Sequence, residues 1–299
     1  MWAERFSAPP LADACPTLVF VAHGGVLEPQ AALLAASLHD AYVPAKVICR
    51  VMEPANHWGA LRPDVANFLD QCGVEIRPLR NRIDDAYPHG NKIAALEGVS
   101  GRAVFLDTDM LLMVPFSTHQ RLLGVAAAKP ADVDTFSAGG GSWARVWSMF
   151  DRDVPAKIYT ASISGETIRP YFNAGFVMAS DGDALAGMWT EVAKRIDAEP
   201  SIVNKRPWLD QIALPVAFAE LGWPVDDLTD AFNYPCHLAD LGVMAPYFAH
   251  YHYTRVLAAQ PKLAHRTRRL MAKYPALRAI LKASGSDGWA NLPDELANR

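Results

Sequence analysis

Two aspartates one residue apart, Asp107 and Asp109, close the apolar run Val104-Phe105-Leu106. If the backbone stays extended there, both carboxylates point to the same side. Carboxylates this close repel unless a cation or a hydrogen-bond donor neutralises them. Oxygen ligands suit a hard divalent ion such as Mn2+ or Mg2+, held jointly by carboxylates and the phosphates of a substrate. Such an ion offsets the charge that builds on a departing diphosphate. Asp-x-Asp alone is a weak motif, and the competing reading is a solvated pair at the end of a strand.

The elements around the pair strengthen it. Thr17–Ala22 (TLVFVA) reads as a buried parallel strand ending in His23-Gly24-Gly25. Pro29 suits the first turn of a helix that runs to about Tyr42. Ala45–Met52 is a second strand and Pro63–Cys72 a short helix that Gly73 stops. Val74–Pro78 is a third strand, Asn91–Glu97 a helix, and Arg102–Leu106 a fourth strand. Strand–helix alternation with short links is the pattern of a doubly wound, mostly parallel α/β sheet, whose ligands sit beyond the carboxyl ends of the strands. His23-Gly24-Gly25 and Asp107-Thr108-Asp109 both lie at such ends.

The second half is less regular. Ala131–Gly165, with Gly139-Gly140-Gly141-Ser142, reads as a long functional loop or lid rather than core. Phe172–Ala179 (FNAGFVMA) reads as a strand, Asp183–Asp197 as an amphipathic helix, and Leu209–Leu221 as a helix bent or restarted at Pro215. Ala249–Tyr253 (AHYHY) reads as a last short strand, which places His250 and His252 on one side.

Several of these segments together resemble family 8 glycosyltransferases, the glycogenin-like and lipopolysaccharide galactosyltransferase-like enzymes of the GT-A fold. The resemblance runs from about residue 17 to 255. It rests on Asn91-Lys92-Ile93-Ala94-Ala95-Leu96 before the strand and Asp107-Thr108-Asp109, on Tyr171-Phe172-Asn173-Ala174-Gly175-Phe176, on Trp208-Leu209-Asp210-Gln211, on Asn233 and on the Ala249–Tyr253 histidines. It implies a Rossmann-like parallel sheet with a smaller antiparallel part. The implied activity moves a sugar from a nucleoside-diphosphate sugar to a sugar, lipid or protein hydroxyl, with retention of anomeric configuration.

The resemblance also assigns roles. Asp107 and Asp109 bind the ion and the diphosphate, with His252 or His250 as a further ligand. Ala22, His23, Gly24, Lys92 and Thr108 contact the donor, and Asn173, Ala174 and Gly175 line the sugar pocket. Asp210 and Gln211 stand beside the reacting carbon. Amides and carboxylates in a polar pocket do bind sugar hydroxyls, although Asp210 also suits a helix N-cap. The chain departs from the family at His23, where an aspartate is usual, and in lacking the lysine-proline-tryptophan that follows the family's histidine. Arg255 and Lys262 are the nearest replacements for that lysine.

Composition fits this picture. At 51% hydrophobic and 20% charged over 299 residues, the chain has enough apolar material for one large α/β domain. A net charge of -4 argues against nucleic-acid binding. Cys15, Cys49, Cys72 and Cys236 are too scattered for a metal motif and read as reduced thiols of a cytoplasmic protein. Met1–Ala14 lacks the apolar stretch of a secretory signal.

The expected organisation is a catalytic domain over 1–255, with a nucleotide-binding half at 17–115 and an acceptor half at 116–255, and a basic helical tail over 256–299. From Arg255 onward there are nine Lys/Arg against Asp287, Asp294 and Glu295. With Leu263, Leu270, Met271, Leu277, Ile280 and Leu281 among them, the tail reads as a terminal helix packed on its own domain, or as a contact with an acidic partner or, peripherally, with the inner membrane surface. Two enzyme readings rank lower. A sugar nucleotidyltransferase wants a basic glycine-rich loop that His23-Gly24-Gly25-Val26 does not supply, and a haloacid-dehalogenase phosphatase carries its aspartates near the N-terminus. A binding protein that keeps the donor site without turnover is the non-enzyme alternative.

Overall fold

The computed structural model describes residues 15–115 and 124–285, together with Trp289 and Leu292. The expectations for Met1–Ala14, and for the tail residues Asp287, Asp294, Glu295 and Arg299, lie outside the described residues.

In chain order the elements begin with β1 (Thr17–Ala22), α1 (Leu27–Asp40), β2 (Val47–Glu53), α2 (Ala55–Trp58), α3 (Pro63–Gln71) and β3 (Val74–Arg80). They continue with α4 (Gly90–Ile93), β4 (Ala103–Leu106), β5 (Met110–Leu112), β6 (Ala126–Pro130), α5 (Thr135–Ala138) and α6 (Trp143–Ser148). Next come β7 (Tyr159–Thr160), β8 (Thr167–Ile168), β9 (Phe172–Ala179), α7 (Gly182–Ala198) and α8 (Leu209–Glu220). The chain closes with β10 (Val225–Asp227), β11 (Tyr234–Pro235), β12 (Phe248–His250), α9 (Thr254–Ala259), α10 (Pro261–Lys273) and α11 (Pro275–Ala283). The fold is α/β, with a mostly parallel sheet, smaller mixed sheets and flanking helices.

Two compact units divide the chain. Among the described residues, the first holds 18–79, 106–115 and 229–285 with Trp289 and Leu292, and the second holds 15–17, 80–105 and 124–228.

In the first unit the strands lie in the order β1-β2-β3. β1 runs parallel to β2, from Leu18 opposite Val47 to Ala22 opposite Val51. The continuous apolar run of β1 is needed because five of its six residues are buried. Helix α1 is buried along most of its length, from Glu28 to Leu38, which its alanine-rich sequence allows at close range. A second sheet in this unit has the order β11-β12-β5.

Helices α10 and α11 pack on α1, and α11 also packs on α3. They do so through Leu263, Leu270, Met271, Leu277, Ile280 and Leu281, all buried. The apolar stripe of the tail is thus spent on its own unit. It does not present the free face that a membrane-lying helix needs, while Lys262, Arg269, Lys273, Arg278 and Lys282 remain outside.

The second unit orders its strands β10-β6-β9-β4, with β10 parallel and β9 antiparallel to β6. Two expectations change here. Ala131–Gly165 is not a loose lid: Phe136, Trp143, Trp147 and Phe150 are buried, and Phe136 and Trp143 meet edge to face at 4.9 Å. Gly141 permits this, because a Cβ there would sit 2.2 Å from the Phe136 ring. The helix expected over Asn91–Glu97 shortens to Gly90–Ile93 and passes into turns that end at Gly98, whose φ is +68°.

The tail is locked by charge as well as by packing. Asp40, the last residue of α1, accepts hydrogen bonds from Arg266 and Lys273 at 2.6 Å each. Burial alone raises the Asp40 carboxyl, but the bonds and charges of Lys273 and Arg266 prevail and hold it below its ordinary value. A carboxyl held low stabilises the fold above its unfolded pKa of about 3.9, and the contribution disappears as pH falls through the folded value. Asp40→Asn is expected to lower the unfolding free energy by roughly 1–3 kcal/mol at neutral pH. In urea titrations that difference from wild type should shrink progressively below about pH 4; a difference independent of pH would contradict the assignment.

Candidate functional site

Pairing of β12 with β5 builds the first cluster. The two strands are antiparallel with His250 opposite Met110, and β11 runs parallel to β12 with Pro235 opposite His250. The imidazole of His250 is thereby held between Asn233, which immediately precedes β11, and the two aspartates that precede β5.

Asp107 to Met110 forms a turn rather than an extended segment, closed by the Met110 amide donating to the Asp107 carbonyl at 3.2 Å. Both carboxylates still reach the same nitrogen. His250 Nε2 lies 3.0 Å from Asp109 Oδ1 and 3.7 Å from Asp107 Oδ2. His250 is 1% exposed, and its Nδ1 lies 2.9 Å from the Asn233 side-chain oxygen. An amide oxygen accepts, so Nδ1 carries the proton and Nε2 faces the carboxylates. With a neutral ring, Nε2 turns a lone pair toward two carboxylates, an arrangement that a bound cation or a second ring proton reconciles.

The expected strand over Ala249–Tyr253 ends at His250. His252 is off the strand, with φ of 53° in the left-handed region that non-glycine residues seldom adopt. The strained backbone, not strand alternation, brings its ring over His250 at 3.7 Å and 17°. His252 Nδ1 is 3.8 Å from Asp109 Oδ2. Asp109, His250 and His252 each offer one ligand atom, all within 4.8 Å of one another. Oxygen and imidazole donors at this spacing fit a divalent first-row ion. His237 lies against the other side of the stack, 3.7 Å from the His252 ring.

The same unit holds the end of β1. Ala22 is buried, and buried Thr108 donates its hydroxyl to the Val21 carbonyl at 2.5 Å, which ties the aspartate turn to β1. His23 Nδ1 lies 2.8 Å from the Gly24 carbonyl, and its ring stands 5.5 Å from Trp58. The Gly24 amide donates to the Gly59 carbonyl at 3.2 Å. Glu28, almost fully buried, accepts from the Gly25 amide at 3.3 Å and the Arg62 amide at 2.6 Å. This carboxylate fixes the loop after β1 against the loop before α3.

The second unit carries two further groups of candidates. Asp210 is fully buried in the first turn of α8. The helix is capped at Trp208 without a side-chain bond, so Asp210 is not an N-cap. Its carboxylate pairs with Lys92 Nζ at 3.3 Å and accepts from the Tyr87 hydroxyl at 3.3 Å. Burial and then the Asp210 charge push the Tyr87 phenol well above its ordinary value, which keeps it a hydrogen-bond donor. Gln211, the next residue, is half-buried.

The other group sits where β6 and β9 lose register. Ala128 pairs with Val177 but Lys129 pairs with Asn173, so β9 bulges over Ala174, Gly175 and Phe176. Asn173 donates to Asp132 Oδ2 at 2.9 Å and accepts from the Gly175 amide at 2.9 Å. Asp132 also binds Ser162 Oγ at 2.7 Å and the ammonium of Lys129, which is only 1% exposed.

The structure therefore brings Asp107, Asp109, His250 and His252 together in one unit. In the other it pairs Lys92 with Asp210 and sets Asn173, Ala174 and Gly175 on a bulge. Sequence reading did not single out Lys129, Asp132, Tyr87 or Glu28. A lysine inside the apolar run Ala126-Ala127-Ala128-Lys129-Pro130 was a usable signal, because a lysine there needs a buried partner.

Comparison with known proteins gives the family. Residues 18–222 match the family described as the Rhodobacterales glycosyltransferase domain. No curated protein matches the chain. Among solved structures, the glycosyltransferase GlyE in Streptococcus pneumoniae TIGR4 is 13% identical with a TM-score of 0.47, over 93% of this chain and 63% of that one. The apo form of GlyE gives 15% identity and a TM-score of 0.49, over 94% and 62%. The chain thus spans less than two thirds of those structures' length.

Removing the carboxylate of Asp132 takes an anionic partner from a buried ammonium. Asp132→Ala is expected to cost about 3–5 kcal/mol of unfolding free energy, whereas Ser162→Ala should cost about 1 kcal/mol. Equal losses in chemical denaturation would show that Asp132 is not the partner on which Lys129 depends.

Proposed function

The chain belongs to the Rhodobacterales glycosyltransferase domain family, and on that premise we propose that it moves a sugar from a nucleoside-diphosphate donor to an acceptor hydroxyl with a divalent ion. One observation carries the reading. Asp109 and Asp107 face His250 Nε2 at 3.0 and 3.7 Å, an array of acceptors that a cation completes. Asp107, Asp109, His250 and His252 would hold Mn2+ or Mg2+. When bound, the ion supplies Lewis-acid stabilisation of the leaving diphosphate.

The chain's own residues set up the rest. Asn233 fixes the His250 tautomer, so Nε2 stays directed at the carboxylates. Ala22, His23, Gly24 and Thr108 are assigned to the nucleotide, whose pocket is stiffened by Glu28. Lys92 pairs with the buried Asp210 carboxylate and holds it in place, and Asn173 is aimed by its bond to Asp132. Ala174 and Gly175 offer bulged backbone to sugar hydroxyls. Asp210, Gln211 and Asn173 are assigned to the reacting sugar, with Gln211 stabilising positive charge as the glycosidic bond to the diphosphate breaks. The family resemblance supports departure and attack on one face, hence retention, within a GT-A fold. The acceptor is a hydroxyl of a sugar, lipid or protein.

The test is release of nucleoside diphosphate from a panel of nucleotide sugars with Mn2+, with and without acceptors. Wild type should show metal-dependent release and Asp109→Ala should fall to background. Unchanged turnover in that variant rejects the metal role, and an inverted product by NMR rejects retention. Asn233→Ala should weaken Mn2+ binding by roughly 10–100-fold, measured by loss of the free-ion paramagnetic resonance signal.

A further inference from the structure

We propose that the basic face of α10 and the apolar turn beside it, at Val243 and Met244, form a docking surface for an anionic membrane. The proposal does not depend on the transfer reaction.

Charge is the first observation. Between Arg255 and Gly285 the sequence has eight Lys/Arg and no Asp/Glu, in a chain whose net charge is -4. The apolar residues of α10 and α11 are buried against their own unit, so these helices show solvent a cationic exterior. Arg266 is committed to Asp40 and to the Leu112 carbonyl. Lys262 and Arg269 are exposed.

The second observation is apolar and comes from a different segment. Val243 is 95% exposed and Met244 47% exposed, at the tip of a turn closed by the Met244 amide on the Leu241 carbonyl at 2.7 Å. A bare valine at a turn tip is costly in water and gains by entering a lipid boundary. The two features are joined: Lys262 Nζ donates to the Met244 carbonyl at 2.9 Å. Between them lies a groove of about 430 Å3, lined by apolar Met113, Val114 and Pro246 and by basic Lys262, His265 and Arg269.

Cations beside a projecting apolar tip match a bilayer surface, where Lys and Arg meet anionic headgroups and the tip reaches the acyl boundary. A soluble acidic partner uses the cations but gives Val243 no reason to be bare. The mode differs from an amphipathic tail helix lying in the interface, because the apolar face of α10 is already covered.

The full chain should co-sediment with vesicles of phosphatidylcholine and phosphatidylglycerol in equal parts, and not with phosphatidylcholine alone. High salt should release it. Lys262→Glu with Arg269→Glu should weaken binding at least tenfold, on the order of one basic residue's contribution per charge. Val243→Ser with Met244→Ser, which removes the apolar tip without adding charge, should weaken vesicle binding comparably, yet leave retention on a soluble polyanion such as polyglutamate within about twofold. Wild type that ignores anionic vesicles overturns the proposal. So does a serine variant that binds vesicles as wild type does, which would mark a cationic patch for a soluble acidic partner. All the substituted residues are exposed, and circular dichroism checks the fold. The lipid and salt comparisons on wild type decide the matter even if a variant misfolds.

Discussion

A single imidazole organises the first unit. His250 is held at Nδ1 by Asn233 and meets two carboxylates at Nε2, and each contact depends on strand pairing rather than on a flexible side chain reaching across solvent. Antiparallel pairing of β12 with β5 sets the distance to the aspartates, and parallel pairing with β11 sets the distance to Asn233. The Tyr251 amide adds a bond to the Asp109 carbonyl at 3.1 Å, so the backbone as well as the side chains locks the turn to the strand. A cluster of acceptors assembled this rigidly repels itself in the absence of positive charge. The divalent ion proposed for this site would supply that charge.

The second unit handles charge by the opposite means, with its cations built in. Lys92 with Asp210 and Lys129 with Asp132 are lysine–carboxylate pairs withdrawn from water. Such pairs gain little net stability, because desolvation offsets most of the attraction. Their worth lies in geometry. Each carboxylate is held by several donors at once, and Asp132 in turn aims Asn173 off the bulge in β9. A soft, solvated aspartate would leave that amide free to rotate.

Much of the fold was legible where one physical signal dominated. β1 and β9 match their sequence-read boundaries because their apolar residues, continuous over Leu18–Ala22 and interrupted at Asn173 in β9, are buried. The aspartate pair, the two histidines and Asp210 were legible by residue type. What was hidden was backbone conformation and partnership. Nothing in AHYHY announces that the strand stops at His250 and that His252 turns left-handed, so the same two rings meet by a different route. The glycine run before Trp143 reads as a functional loop or lid, yet one of its glycines, Gly141, gives the buried Phe136 ring room to pack. Lys129 reads by composition as surface, and only a register slip between β6 and β9 shows why it is inside.

Gly24 and Gly59 approach so closely that a Cβ on Gly24 would lie 2.9 Å from the Gly59 Cα, and one on Gly59 would lie 3.1 Å from the Gly24 Cα. The obstructing atoms are backbone in both directions, so no compensating change of side chain elsewhere relieves the clash. The two positions behave as one inherited unit: neither can drift alone, and both cannot drift together. The loop after β1 can therefore change in its side chains but not in the closeness of its two backbones.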